Sequence, residues 1–386
     1  MTLEQLLAAG DVDAAQALAI EQLEADPASV EPRVALARIA LVQEDVESAQ
    51  ALIEPLPPGE GGYARSLVDA TLLVAKDKLG DAIEAYRALT REAPERFEGF
   101  LGLGEAALEK GDVELAVRAL KKAALTDDEN WWLHYRVGIA LAGAGELEEA
   151  VSQLTRALEL NPADERPVAS LAAGLMEAGD LEGAEELLRD YFEREGEPPQ
   201  LVAILVQVLV RTGELDEARH LAVLLADANP EQPLFQTEAA RLLLTDGEVA
   251  DATARCERVI AEGNATALTH VVRAQAAELA DPADTDAALR HYAAALELEP
   301  DDAGIHTNLG LLLVQLDRLD DAAEHLTRAL ELDGDSAPAL YNLGLLFAKQ
   351  GDTAQARATL SRALEGADPL LQAEVQRLMA ALPAQG

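Results

Sequence analysis

The phrases GDVDAAQAL, GDVELAVRAL, GELEEAVSQL, GDLEGAEELL, GELDEARHL, DRLDDAAEHL and GDTAQARATL return along this chain at a spacing close to 34 residues. Aligned on their opening residue, the turns fall at Gly10, Glu44, Asp77, Gly111, Gly145, Gly179, Gly213, Gly247, Ala283, Asp317 and Gly351, at intervals of 33 to 36. A period of that length defines a supersecondary unit stacked along a line, each copy burying its apolar face on its neighbours. Function is therefore expected on an extended surface, not in a catalytic pocket.

Each unit carries two helical phases. After the turn, apolar positions fall at Leu147, Ala150, Leu154 and Ala157, and again at Leu181, Ala184, Leu188 and Tyr191. Before it they fall at Phe100, Leu103, Gly104 and Ala107, and at Leu340, Leu343, Gly344 and Phe347. Offsets of three and four mark one face of a helix, so the unit is a helix hairpin. The Gly-Asp or Gly-Glu between the helices supplies a left-handed residue to close the first and an acid for the N-terminus of the second.

One alanine column runs through the array: Ala15, Ala49, Ala82, Ala116, Ala150, Ala184, Ala218, Ala252, Ala288, Ala322 and Ala356. A methyl group at one phase in every unit implies a helix contact too close for Leu or Val. Small residues recur opposite, at Ala37, Ala70, Gly104, Gly138, Ala172, Ala240, Ala274, Gly310 and Gly344, and only Val206 breaks the second column. Pro27, Pro94, Pro162, Pro230 and Pro300 close alternate units, where Gly61, Asp128, Gly196, Asn264 and Gly334 stand in the others. Either chemistry ends a helix.

Composition fits thin layers between helices. Of 386 residues, 49% are apolar but only 3% aromatic, so the core is aliphatic. The longest apolar run, around 201–210, is interrupted by Gln207 and is shorter than the roughly 20 residues of a membrane span. The first residues, MTLEQLLAAGDV, lack the basic and apolar regions of a signal peptide and already read as repeat. A single cysteine excludes an internal disulfide framework, and the cytoplasm is the expected compartment.

The units DENWWLHYRVGIALAGAGELEEAVSQLTRALELNP (128–162), AGIHTNLGLLLVQLDRLDDAAEHLTRALELDG (303–334) and APALYNLGLLFAKQGDTAQARATLSRALEGAD (337–368) carry a specific resemblance, and the chain resembles the tetratricopeptide repeat family. The resemblance implies an all-α fold: an α-solenoid of about eleven stacked hairpins in a right-handed superhelix, continuous over 1–386. Sub-blocks are expected at 1–60, 61–264 and 265–369, with a capping helix at 370–382. The weaker units lie at 30–60, where PLPPGEGG follows, and at 267–300, where DPADTD adds two residues. Asp69 and Arg273 take first-helix phases that are apolar elsewhere.

Proteins of this family bind peptides, extended segments or helices of other proteins in the groove lined by the first helices, and have no chemistry of their own. Residues here agree: no phosphate loop, zinc-ligand spacing or nucleophile elbow is present, and no catalytic residue, cofactor or metal is expected. His134, His270 and His306 share one phase and His291 and His325 another, but equivalent positions are a whole hairpin apart and assemble no ligand set. Cys256 takes a core phase and reads as an inert thiol. Five of thirteen aromatics, Phe97, Phe100, Trp131, Trp132 and Tyr135, crowd two units. The first three fill gaps between hairpins. Trp132, Tyr135 and Arg136, with Arg166 from the next unit, take groove-facing phases by the resemblance and combine the residue types of binding hot spots. Arg211, Arg241, Asn308, Tyr341 and Asn342 are further groove candidates. Asn308 and Asn342 match groove asparagines of chaperone-tail-binding members, but the lysines of that carboxylate clamp are absent.

With 71 acids against 30 bases the net charge is −41, which argues against nucleic acid as the ligand. Part of the acid lies in first turns of second helices, as at Glu146, Glu148 and Glu149, where the helix dipole favours it, and Arg156, Arg258, Arg328 and Arg362 lie toward the opposite ends. The surplus fits solubility, a basic partner or adaptation to high salt, given six lysines beside 24 arginines. The expected function is a non-catalytic scaffold for a protein or peptide partner, without nucleic acid or membrane. The residues leave open a regulatory subunit of an enzyme complex and a self-assembling array. Overpacking tests the helix phases on which these assignments rest: Ala150→Leu is expected to destabilise the protein by about 1 to 3 kcal/mol in a thermal melt, and an unchanged melt would overturn them.

Overall fold

The computed structural model describes residues 2–8, 12–57 and 59–383, and the turn position Gly10 lies outside them. Its ordered elements, among the described residues, are 23 helices and no strand. They fall into two compact units, residues 1–208 and 209–386. The first holds α1 (Leu3–Ala8), α2 (Val12–Ala25), α3 (Val30–Val42), α4 (Val46–Ile53), α5 (Gly62–Ala75) and α6 (Leu79–Glu92). There follow α7 (Phe97–Glu109), α8 (Val113–Ala124), α9 (Trp131–Gly143), α10 (Leu147–Leu160), α11 (Glu165–Glu177) and α12 (Leu181–Glu195). The boundary falls within α13 (Pro199–Thr212). The second unit holds α14 (Leu215–Ala228), α15 (Pro233–Thr245), α16 (Val249–Ala261), α17 (Ala267–Leu279) and α18 (Thr285–Leu298). It ends with α19 (Ala303–Gln315), α20 (Leu319–Leu332), α21 (Ala337–Gln350), α22 (Thr353–Gly366) and α23 (Pro369–Ala381).

Odd-numbered helices are the first of each hairpin and even-numbered the second. All eleven alanines of the column are fully buried where the two meet. A Cβ placed on Gly138 would lie 2.7 Å from Cγ of Leu154 and 3.3 Å from the carbonyl oxygen of Ala150, and Gly104 stands in the same relation to Leu120 and Ala116. A methyl group added there meets the leucine side chain first, and Ala37, Ala70, Ala172, Ala240 and Ala274 carry one at the same phase, so the position is one for small residues. In the first unit the odd helices from α1 to α11 also pack successively on one another; in the second, α15 packs on α17 and α19 on α21. Even helices make no comparable mutual contact among the described residues. The odd helices thus form the tighter side of each unit.

The turn performs two tasks. At Gly111 the chain takes φ +83°, the amide of Asp112 returns to the carbonyl of Ala107 at 2.8 Å, and the Asp112 carboxylate then accepts from the amide of Leu115 at 3.1 Å. One dipeptide closes α7 and caps α8. Glu44, Asp77 and Asp317 adopt the same left-handed backbone at φ +61°, +56° and +60°, so the conformation is imposed where glycine is absent. Ala283 does not. The two extra residues there lengthen the turn, yet the amide of Asp284 still reaches Ala277 at 2.9 Å and its carboxylate caps α18. At the far ends, Ala93, Asn161, Asn229 and Glu299 stand at φ −130° to −139° before prolines, and Asp333 takes −136° before Gly334. Proline favours that geometry but is not required for it.

Sequence reasoning placed Arg156 and Arg328 with the helix dipole. The structure shows them reaching back to the loop before their own hairpin, Arg156 to Asp128 and Arg328 to Asp301 at 2.6 Å, each also pairing with an acid of its own helix. Arg255 reaches Asp227 at 2.7 Å, and Arg362 donates to the carbonyl of Gly334 at 3.0 Å. Tyr191 does so without charge, donating to the carbonyl of Ala163 at 3.0 Å. The two misplaced charges are paired as well, Asp69 with Arg65 and Arg273 with Glu257, both at 2.9 Å. The capping helix α23 is held by the Asp368 carboxylate and buries Val375 against Leu340, Leu360 and Ala363.

Glu146, Glu214 and Glu248 occupy the N-cap without accepting from the helix, since their carboxylates are one methylene too distant. Glu146→Asp is expected to add about 0.5 to 1 kcal/mol in denaturant unfolding by supplying the missing acceptor. Glu44→Gly is expected to raise stability by about 1 kcal/mol by relieving the left-handed conformation, read as a higher denaturant midpoint at constant slope.

Candidate functional site

The structure gathers four of the nine sequence-predicted residues. Trp132, Tyr135 and Arg136 project from α9, and Arg166 lies at the start of α11. Asn130 sets α9 by accepting from the amide of Leu133 at 3.1 Å, and Asp164 sets α11 by accepting from that of Arg166 at 3.0 Å. Helical spacing then places Trp132, Tyr135, Arg136 and Ile139 along one face. Trp132 and Ile139 are 37% and 42% exposed, more than large apolar groups in a hairpin core.

Two chains of contact flank this face. The Arg136 guanidinium lies 5.2 Å from the Trp132 ring centroid and pairs with Glu105 of α7. The Arg166 guanidinium lies 5.1 Å from the ring of Trp131 and holds Asp164 through two bonds of 2.8 and 2.7 Å. Trp131 in turn meets Tyr135 at 6.5 Å between centroids. The Arg166 hydrogen bond holds the Asp164 carboxyl below the usual carboxylate range. Each arginine is thus fixed in place, with its charge already met. Phe97 and Phe100 pack on the aliphatic cluster between α7, α8 and α9.

The other five predicted residues lie in the second unit. Arg211 is exposed on α13. Arg241 pairs with Glu238 through two bonds on its own helix. Asn308 and Tyr341 are half-buried, whereas Asn342 is buried and directs its amide toward the carbonyl of Thr307, 3.4 Å away. Sequence reasoning missed Ile139, and also Leu234 and Leu268, which are 65% and 45% exposed at the phase of Trp132 in successive hairpins. Their shared phase was the available signal. Cys256 is fully buried, and burial pushes its thiol up to about 11, which disfavours the reactive thiolate at neutral pH.

Two open clefts of about 350 Å³ lie elsewhere in the first unit. Leu3, Val34 and Arg38 line one; Ile53, Leu72 and the Arg65–Asp69 pair line the other. Both border the irregular unit in which α4 has only 8 residues, and neither gathers a catalytic constellation. Among the described residues no three His, Cys, Asp or Glu side chains converge on a metal position, and no helix is long and apolar enough to cross a membrane.

Stacked helix hairpins with close alanine contacts define an α-solenoid. Tetratricopeptide repeat profiles match residues 6–68, 67–133, 107–175, 141–203, 175–242, 273–337 and 307–370, and the chain belongs to the tetratricopeptide repeat family, whose members serve generally as protein interaction scaffolds. A stretch of 91 residues, 24% of this chain, is 30% identical to Superkiller protein 3 of Schizosaccharomyces pombe and spans 7% of that protein's length. A tetratricopeptide repeat protein from Parabacteroides merdae is similar at TM-score 0.49 and 20% identity, over 63% of this chain and 95% of that one. The structure of the APC/C hetero-tetramer Cut9–Hcn1 is similar at TM-score 0.49 and 14% identity, over 98% and 88%.

Proposed function

We propose that this protein is a non-catalytic scaffold that receives a segment of a partner protein on the odd-helix side of its first unit, at α9 and α11. The carrying observation is the exposure of Trp132 and Ile139 on one helical face, with Tyr135 and Arg136 between them. Aromatic side chains and arginine dominate binding energy where they are desolvated, and here the arginines are ordered before a partner arrives, which lowers the entropic cost of docking. An apolar anchor of the partner would lie against Trp132 and Ile139. Arg136 and Arg166 already hold Glu105 and Asp164, so a partner carboxylate would have to displace one of these acids. A basic or neutral segment fits better, in keeping with the net charge of −41. The proposed compartment is the cytoplasm.

Both tryptophans of the chain stand at this site, so intrinsic fluorescence reports on it directly. Trp132→Ala with Arg136→Ala is expected to leave helicity and melting nearly intact and to weaken capture of the partner isolated from host cells. Each lost anchor should cost roughly 2 kcal/mol, or about thirtyfold in affinity. Wild-type affinity in the double variant would remove the site. Solution mass measured alongside separates a foreign partner from a second copy.

A further inference from the structure

Two hairpins of the second unit each hold a pair of histidines face to face. His270 on α17 and His291 on α18 bring their Nδ1 atoms to 3.2 Å, with ring centroids 5.4 Å apart. His306 on α19 and His325 on α20 repeat the arrangement at 2.9 and 5.1 Å. His306 is buried and the other three are half-buried.

Partners fix the protons in the second pair. Nε2 of His306 lies 3.1 Å from the carbonyl oxygen of Pro300, which can only accept, so this nitrogen carries hydrogen. A neutral His306 then presents a lone pair at Nδ1, and the hydrogen in the Nδ1–Nδ1 contact belongs to His325. One further proton fits on Nε2 of His325, because the imidazolium still donates through Nδ1. A second does not: it would set N–H against N–H and place two charges in contact.

We propose that the His270–His291 and His306–His325 pairs are proton-sensitive clasps, which hold the α17–α18 and α19–α20 hairpins closed at neutral pH and loosen them together in mild acid. Surrounding charge favours the neutral ring only at His291, while the acids near His270 and His325 favour the charged one, so burial decides the direction. His291 faces Arg273 and Arg290 with Glu257 opposing them, His270 faces Glu297, and His325 faces Arg318 with Asp321 and Glu324 opposing it. Burial is the largest influence on His270, His291 and His325 and holds all three below the ordinary histidine value of 6.5. The folded state therefore binds fewer protons than the unfolded chain below that value, so stability is complete above it and declines as pH falls. The rings of a pair titrate as a unit. If each pair withholds one proton, the unfolding constant rises about tenfold per pH unit per pair, or about a hundredfold for both.

The equivalent slot of the α9–α10 hairpin is an internal control. There His134 meets Gln153 at 2.7 Å, and the amide can turn oxygen or NH₂ toward the ring, satisfying it in either protonation state. A histidine partner cannot do both while charged. His291→Gln with His325→Gln converts both pairs to this arrangement.

Imidazole NMR of the full chain, which has six histidines, is expected to show hydrogen on Nε2 of His306 and Nδ1 of His325 at pH 7.5. Each pair should take up protons in two steps, the second well below the ordinary histidine range. Guanidinium unfolding between pH 7.5 and 5 should show equal pH dependence in the two proteins at the upper end. Below 6.5 the wild-type unfolding constant should rise relative to that of the double glutamine variant by about a hundredfold per pH unit. Four rings titrating independently at ordinary values would overturn the proposal, as would parallel pH dependence in the two proteins through that lower range. The wild-type titration decides the matter even if the variant does not fold.

Discussion

The contact on which the rest of this structure depends is the near-touching of two helix backbones inside each hairpin. At Gly138 an added methyl group would lie 2.7 Å from the Leu154 side chain and 3.3 Å from the Ala150 carbonyl oxygen, and the alanine column is buried in every hairpin. Helices that close leave a core filled mainly by Leu, Val and Ala, with Tyr86, Tyr191 and Tyr292 as buried exceptions, which is why few aromatic residues serve many hairpins. The same approach fixes the rotation of every helix about its axis. Trp132 and Ile139 are exposed because Leu133, Val137 and Leu141 of the same helix must face inward.

The charges follow from this geometry more closely than the net total suggests. Much of the acid is engaged at helix starts or by arginines that bridge from a second helix to the preceding loop. Single pairs of this exposed kind are worth about 0 to 1 kcal/mol, so their value here lies in orientation. Arg156 and Arg328 hold loops; Arg136 and Arg166 hold aromatic rings. In the proposed docking site, fixed, neutralised arginines beside exposed apolar groups would discriminate by shape and contact area. The unengaged acids provide a broad field that draws cations toward the protein and slows anions.

The fold was legible because its determinants are local and repeated: the turn dipeptide, the alanine phase and the helical period each lie within a few residues. Reading failed where the cause lay a hairpin away. Glu105, which orders Arg136, is 31 residues distant, and nothing near Arg136 announces it. Asn342 carries the residue type of a groove contact, yet its neighbours bury it against Thr307. Ile139 was passed over because an exposed isoleucine and a core isoleucine look alike until the helix rotation is known. Histidines were compared between hairpins, whereas their partners lie within one, 19 or 21 residues on. Ala283 aligned with the turn glycines, but two extra residues let the closing bond of Asp284 span seven residues to Ala277 where the other described turns span five, and Ala283 does not need the left-handed backbone.

The turn that ends one helix and caps the next has a consequence for how such a chain can change its length. Start and stop instructions for a hairpin are contained inside it, in the turn and the cap that follows it. Duplication or deletion of one whole period therefore needs no compensating change elsewhere, while a shift of one or two residues must be absorbed within a single loop, as at 281–284. Lineages of this architecture should differ from one another in whole steps, with partner sites added or lost as complete cassettes.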